Sequence, residues 1–174
     1  MLTRRTVLAA GLALPFSGIA QPLTCGQQTP RQTEGPFFTP NSPKRVSLVE
    51  KGVKDVFVVT GLVLSPQCKP VANALVDLWH ADENGEYDNR GFRYRGHQFT
   101  DAQGRYRFET IVPALYPGRA RHYHVKVQAP GKRLLTTQLY FPNDPGNARD
   151  GLFTPALEMK LAKSQGAFDF VVDA

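Results

Sequence analysis

At 174 residues, 41% of them hydrophobic and 21% charged, the chain has the length and composition of one globular domain and is too short for two. Its 15 Gly and 14 Pro favour strands and turns over helices, which points to β structure. The net charge of +6 is scattered, with only Arg90, Arg93 and Arg95 and then Arg119 and Arg121 as loose groupings, so no nucleic-acid partner is expected.

In chain order, Thr3-Arg4-Arg5-Thr6-Val7-Leu8 sets paired arginines before an apolar run that ends at Phe16, and Gly18-Ile19-Ala20 offers small residues for cleavage. The run is too short to cross a bilayer, so no membrane span is expected. Residues 1–20 therefore read as a signal peptide of the twin-arginine kind, and the protein as exported, periplasmic or secreted. A general secretory signal that happens to hold two arginines is the rival reading. Without Arg4 and Arg5 the chain keeps 19 Lys+Arg against 15 Asp+Glu, a net charge of +4, which suits small anionic aromatic substrates as well as a solvated surface. Cys25 and Cys68, the two cysteines of an exported chain, permit one disulfide.

Residues 21–46 are rich in Pro, Thr and Gln without a period, and read as an extended N-terminal arm packed over a domain at 47–174. Strands are predicted at Val56–Leu64, Ala74–His80, Arg105–Thr110, Arg121–Ala129, Leu134–Phe141 and Ala167–Val172, separated by turn clusters such as Asp101-Ala102-Gln103-Gly104. A short helix is predicted around Pro155 to Lys163. The fold expected is all-β, an antiparallel β-sandwich with Pro/Gly-rich connecting loops.

The residues that carry chemistry begin with His122-Tyr123-His124. Residues two apart on a strand share a face, so both imidazoles converge, and imidazole suits iron, zinc, copper or nickel alike. Tyr116, in the turn Leu115-Tyr116-Pro117-Gly118, leads into that strand, and Tyr87 follows the Trp79 strand. A phenol is protonated at neutral pH but ionises on a trivalent metal. Two phenolates with two imidazoles favour Fe(III). Taken singly, either tyrosine reads as a core-capping aromatic. His80 reads as a turn or supporting residue, and His97 as a surface histidine in an Arg-rich loop.

Thr33-Glu34-Gly35-Pro36-Phe37-Phe38, Asp77-Leu78-Trp79-His80-Ala81-Asp82 with Gly85-Glu86-Tyr87, Thr100-Asp101 with Gly104-Arg105-Tyr106, Thr110-Ile111-Val112-Pro113 with Tyr116-Pro117-Gly118, His122-Tyr123-His124 and Gln138-Leu139-Tyr140-Phe141 occur in this order. In these motifs the chain resembles the intradiol ring-cleavage dioxygenases, which include catechol 1,2-dioxygenase and protocatechuate 3,4-dioxygenase. The resemblance implies an Fe(3+) cofactor with Tyr87 and His124 as equatorial and Tyr116 and His122 as axial ligands. It implies Arg119 as the residue that stabilises negative charge on the ring, Gln138 near the iron, and Tyr116 as a displaceable base. It further implies a small aromatic diol and O2 as substrates, with ring cleavage to a cis,cis-muconate-type product. Arg121, adjacent to His122, is expected to face the opposite way.

The chain departs from the family in carrying Tyr123 between the histidines, in lacking a long helical N-terminal segment used for dimerisation, and in being short. Walls of the pocket are therefore open to completion by another subunit of a homo-oligomer. Two other classes fit parts of the sequence: a non-catalytic, transthyretin-like β-sandwich binding module, and a zinc or copper enzyme using only the two histidines. The four-ligand set separates these from the iron enzyme.

Overall fold

The computed structural model describes residues 26–174, so the predicted signal segment and Cys25 lie outside the described residues. Cys68 is disulfide-bonded, and Cys25 is the other cysteine of the sequence. No helix among the described residues is long and apolar enough to cross a membrane.

Among the described residues nine strands build two stacked sheets: β1 (Phe57–Leu64), β2 (Leu75–Trp79), β3 (Arg95–Phe99), β4 (Arg105–Thr110), β5 (His122–Gln128), β6 (Leu135–Tyr140), β7 (Lys160–Ala162), β8 (Gln165–Ala167) and β9 (Phe170–Val171). One sheet runs β4-β1-β8-β7 with β9 also on β1, and the other runs β3-β2-β5-β6. The predicted sandwich is present and its pairs are mostly antiparallel, although β8 and β9 run parallel to β1. Alternation places Val59, Val63 and Phe108 of the first sheet against Val76, Leu78, Tyr123, Val125, Val127 and Leu139 of the second, all at most 1% exposed.

Two predicted elements need correction. The helix expected at Pro155–Lys163 is a single 3-10 turn, Pro155–Leu157, followed by the β7–β8 hairpin. Leu157 and Met159 are buried while Lys160 is exposed, and Met159 N donates to the Tyr140 carbonyl, so the segment buries alternate residues rather than a helical stripe. The Arg-rich loop expected to carry His97 contains a strand, β3, which pairs with β2 from Leu75↔Phe99 to Trp79↔Arg95. Arg-Gly-His-Gln-Phe carries no apolar alternation. Its Gly96 is needed because a Cβ there would stand 2.6 Å from Leu48 Cδ2.

The second sheet is covered on both faces. β5 is buried at His122 through Val127 although only Tyr123, Val125 and Val127 face the core. The arm covers its other face. Gln32 N donates to Thr136 O, Arg45 N to His97 O and His97 N to Pro43 O, while Ser42 Oγ donates to Asp77 Oδ1 at 2.8 Å. Lys126, two residues after His124, pairs with Glu34 and lies 3.3 Å from the Phe38 ring centroid. The arm thus closes over a polar sheet face, and that face carries the chemistry.

Candidate metal centre

Register builds the site. His124 lies opposite Trp79 on one side and Gln138 on the other, Trp79 lies opposite Arg95, and His122 lies opposite Tyr140. Residues opposite one another in a sheet project to the same face. This places Arg95, Trp79, His124 and Gln138 in one row under the arm, with His122 and Tyr140 in the next. The two Nε2 atoms of His122 and His124 are 3.1 Å apart, and Tyr87 Oη is 3.4 Å from His122 Nε2. His122 Nδ1 donates to the Ala120 carbonyl at 2.7 Å, which leaves its Nε2 lone pair facing the site.

Two loops bring the tyrosines in. Gly85 (φ +83°) has no room for a side chain, since a Cβ would stand 2.3 Å from the Leu115 carbonyl. The Tyr87 loop is therefore pressed against the loop that carries Tyr116. The two phenol rings meet edge to face at 5.8 Å, and Phe37 of the arm stacks on Tyr87 at 4.5 Å and 17°. Among the described residues no hydrogen bond joins Tyr116 to either histidine, and Tyr116 is only partly buried. The arm also reaches the imidazoles. Gly35 (φ +71°) lies so close that a Cβ would stand 3.3 Å from His124 Cε1, while Trp79 stacks on the His124 ring at 4.9 Å and 10°.

Arg119 faces the same space. Its Nε donates to both carboxylate oxygens of Asp150 at 3.0 and 2.9 Å, and its Nη2 donates to Gln138 Oε1 at 2.5 Å and to Tyr140 Oη at 3.2 Å. Gln138 Nε2 donates to the Thr33 carbonyl at 3.1 Å, tying this network to the arm. Arg121 turns away, as expected, into an ion pair with Asp144 at 2.7 Å. His97 is half-buried under the arm, with Nδ1 2.7 Å from the Ser42 carbonyl, rather than on the surface.

The structure therefore brings together Tyr87, Tyr116, His122, His124, Arg119 and Gln138. It adds Asp150, Tyr140, Trp79, Phe37 and Arg95, which the sequence reading assigned no part at the site. Tyr140 was legible as an every-second-residue partner of Gln138. Asp150 carries no local signal, because its carboxylate meets Arg119 across 31 positions of sequence.

Burial first, and then the Arg119 charge, hold His122 down at about 4, and burial with the neighbouring His122 holds His124 well below the ordinary value. Both rings are neutral and able to donate lone pairs at neutral pH. Burial raises Tyr87, against the opposing charges of Arg119 and Arg95, so the phenol is protonated until a cation arrives. No three His, Cys, Asp or Glu cluster as a metal group among the described residues, so the tyrosines are what complete a donor set. His122 Nε2, in contact with both His124 Nε2 and the Tyr87 phenol oxygen, with a second phenol beside them, makes a donor set that fits a hard trivalent ion such as Fe(III).

His80 gives a pH test at a buried histidine outside the ligand set. It is 1% exposed, its Nδ1 donates to the Ala81 carbonyl at 2.7 Å, and Nε2 lies 2.5 Å from Thr110 Oγ1. Burial lowers its pKa to about 4. Between its unfolded value near 6.5 and about 4, only the unfolded chain takes the proton, so the stability contribution is full above pH 6.5 and is lost as pH falls. The expected loss from this group is on the order of 3 kcal/mol. His122 and His124, held down likewise, add to the same slope, so the His80 share is read as the difference between the unsubstituted chain and His80→Gln in thermal unfolding of chelator-stripped protein from pH 7 to 4. An unchanged slope assigns the acid lability elsewhere.

A family model described as dioxygenase matches residues 33–169. The chain is 32% identical over 172 residues to catechol 1,2-dioxygenase 2 of Acinetobacter lwoffii, covering 78% of this chain and 62% of that protein. It is 41% identical over 115 residues to the protocatechuate 3,4-dioxygenase beta chain of Burkholderia cepacia, covering 55% of this chain and 48% of that one. The chain thus spans about half to three-fifths of the length of these relatives. Among solved structures, the dioxygenase domain of a dioxygenase carbohydrate-binding protein fusion from Streptomyces sp. SirexAA-E superposes with a TM-score of 0.81 at 53% identity. That match covers 84% of this chain and 99% of the domain.

Proposed function

On the premise that the chain belongs to the intradiol ring-cleavage dioxygenases, we propose that it is an Fe(III)-dependent enzyme that opens the ring of a small aromatic diol with O2 to give a cis,cis-muconate-type product. The observation that carries the proposal is the contact of His122 Nε2 with both His124 Nε2, at 3.1 Å, and Tyr87 Oη, at 3.4 Å, beside Tyr116. Tyr87, Tyr116, His122 and His124 hold the iron. When bound, the ion supplies Lewis acidity and a template that orients the diol.

The chain's own groups supply the rest. Tyr116, which among the described residues no hydrogen bond ties to the histidines, would be the group able to take a diol proton on its phenol oxygen. Arg119 presents positive charge where the ring gains negative charge, and Asp150, Gln138 and Tyr140 fix its planar guanidinium. Trp79 on His124 and Phe37 on Tyr87 exclude water from the buried side of the site, which strengthens these interactions. The binding-module reading leaves this donor set without a purpose. The two-histidine metal reading leaves Tyr87 unexplained in contact with His122. Export is part of the proposal and rests on the paired Arg4-Arg5 and the apolar run after them.

Colour tests the proposal directly. Protein loaded with ferric iron is expected to be reddish from phenolate-to-iron charge transfer, and its absorption band is expected to shift when a catechol is added. Colourless iron-loaded protein, or a band indifferent to catechols, overturns the assignment.

A further inference from the structure

Arg95 is a buried cation whose acidic neighbours, Asp88 and Asp77, act on it without forming an ion pair. It is 1% exposed and takes part in none of the ion pairs found among the described residues. Among the described residues its Nη2 has no hydrogen-bond partner. Burial outweighs the Asp88 and Asp77 charges and lowers the Arg95 pKa, and a buried charge without a close ion pair is costly, so its placement calls for a reason. What it does bind is two backbone carbonyls: Nε donates to Asp88 O at 2.9 Å and Nη1 to Phe37 O at 2.6 Å.

Those two carbonyls belong to the segments on either side of Tyr87. Asp88 is its neighbour in the chain, and Phe37 is the ring stacked on it at 4.5 Å and 17°. The Arg95 backbone is fixed from the strand side, because it pairs in the sheet with Trp79, which stacks on His124. Its own carbonyl receives Arg45 Nε at 3.0 Å, which anchors a second stretch of the arm. A lysine has one compact ammonium in place of a planar fork and does not reproduce two divergent, oriented bonds.

We propose that Arg95 is the positioning residue for Tyr87, its single buried guanidinium holding through the Asp88 and Phe37 carbonyls both walls of the slot that aims the phenol at His122. The proposal rests on Tyr87 being an iron ligand. Nothing in the local sequence marks it, since Arg95 stands in a run with Arg90 and Arg93 that reads as surface charge.

The test compares Arg95→Lys and Phe37→Leu with the unsubstituted protein and with Val59→Ala, a core control that lowers the melting temperature far from the site. Three quantities are read: iron release to a chelator, the position and intensity of the charge-transfer band, and the melting temperature of stripped protein. Arg95→Lys is expected to release iron about 10- to 100-fold faster, the range for residues that orient metal ligands, with a weakened and displaced band. Phe37→Leu, which removes the ring stacked on Tyr87 but keeps the Phe37 carbonyl, is expected to move both in the same direction by less, and Arg95→Gln decides the matter if Arg95→Lys does not fold. A Tyr87-dependent band and release rate unchanged in the folded variants, or changed equally in Val59→Ala, overturns this proposal and leaves the ligand assignment standing. A band that survives Tyr87→Phe overturns the ligand assignment, and this proposal with it.

Discussion

Tyr87→Phe and His124→Ala are each expected to yield folded protein that is colourless after iron loading and has no measurable ring cleavage. Tyr87 sits in a solvent-facing turn loop whose shape is set by Gly85 against Leu115 and by the Asp82 carboxylate, which accepts Asn84 N at 2.8 Å and Glu86 N at 3.0 Å. None of these contacts uses the phenol oxygen, so its removal leaves the loop intact. His124 is different, because its ring is stacked by Trp79 and touched by Gly35. His124→Ala opens a void there and is expected to cost about 2–4 kcal/mol of stability besides the metal. Because residues that only orient a ligand cost about 10- to 100-fold in metal affinity, loss of a ligand is expected to exceed 100-fold. Iron per chain, band intensity and turnover are to be measured on the same preparations. Turnover retained without iron in either variant would remove the metal from the reaction; iron and colour retained in Tyr87→Phe would remove Tyr87 from the ligand set.

Arg119→Leu is expected to separate turnover from iron binding, with kcat falling by about 10²- to 10³-fold, the effect of losing one preorganised group that stabilises developing charge. Iron content and colour are expected to persist, since Arg119 donates to Asp150, Gln138 and Tyr140 and to none of the four ligands. The substitution also strands Asp150, whose side chain is 1% exposed, so a lower melting temperature is expected alongside the kinetic loss. Asp150→Asn gives the complementary result. It keeps an acceptor for Arg119 Nε while removing the charge, so kcat is expected to fall by only about 10-fold with the band unmoved. Equal kcat in Arg119→Leu and the unsubstituted protein, per iron bound, would show that the guanidinium has a structural role alone.

Much of this was legible in the sequence wherever the determining interactions are local. Arg105–Thr110 alternates in sequence and occupies that span as a strand, and His122 and His124, two apart on a strand, share a face as their spacing requires. Turn chemistry placed Tyr116 immediately before them. The motifs shared with a known family selected Arg119 over Arg121, and the ion pair of Arg121 with Asp144 shows it directed elsewhere.

The errors share one cause. Periodicity reports how many faces of an element are buried, and it assumes that whatever buries them is another regular element. Here an irregular arm buries the outer face of the second sheet, so β3 lacks an apolar pattern while still pairing with β2 throughout its length. The segment from Pro155 was expected to be helical, but the Tyr140 carbonyl draws Met159 into an extended path. The sequence by itself determined a β-sandwich and a converging pair of imidazoles, since both follow from the two-residue period of a strand. Only the tertiary structure decided that Asp150 holds Arg119, that Phe37 stacks on Tyr87 and that Arg95 bridges the segments around it. Apart from the Arg95–Asp88 bond, which spans 7 positions, those contacts join residues 31 to 58 positions apart, and chain separations of that kind leave no periodic trace because closing them depends on where whole sheets and loops pack.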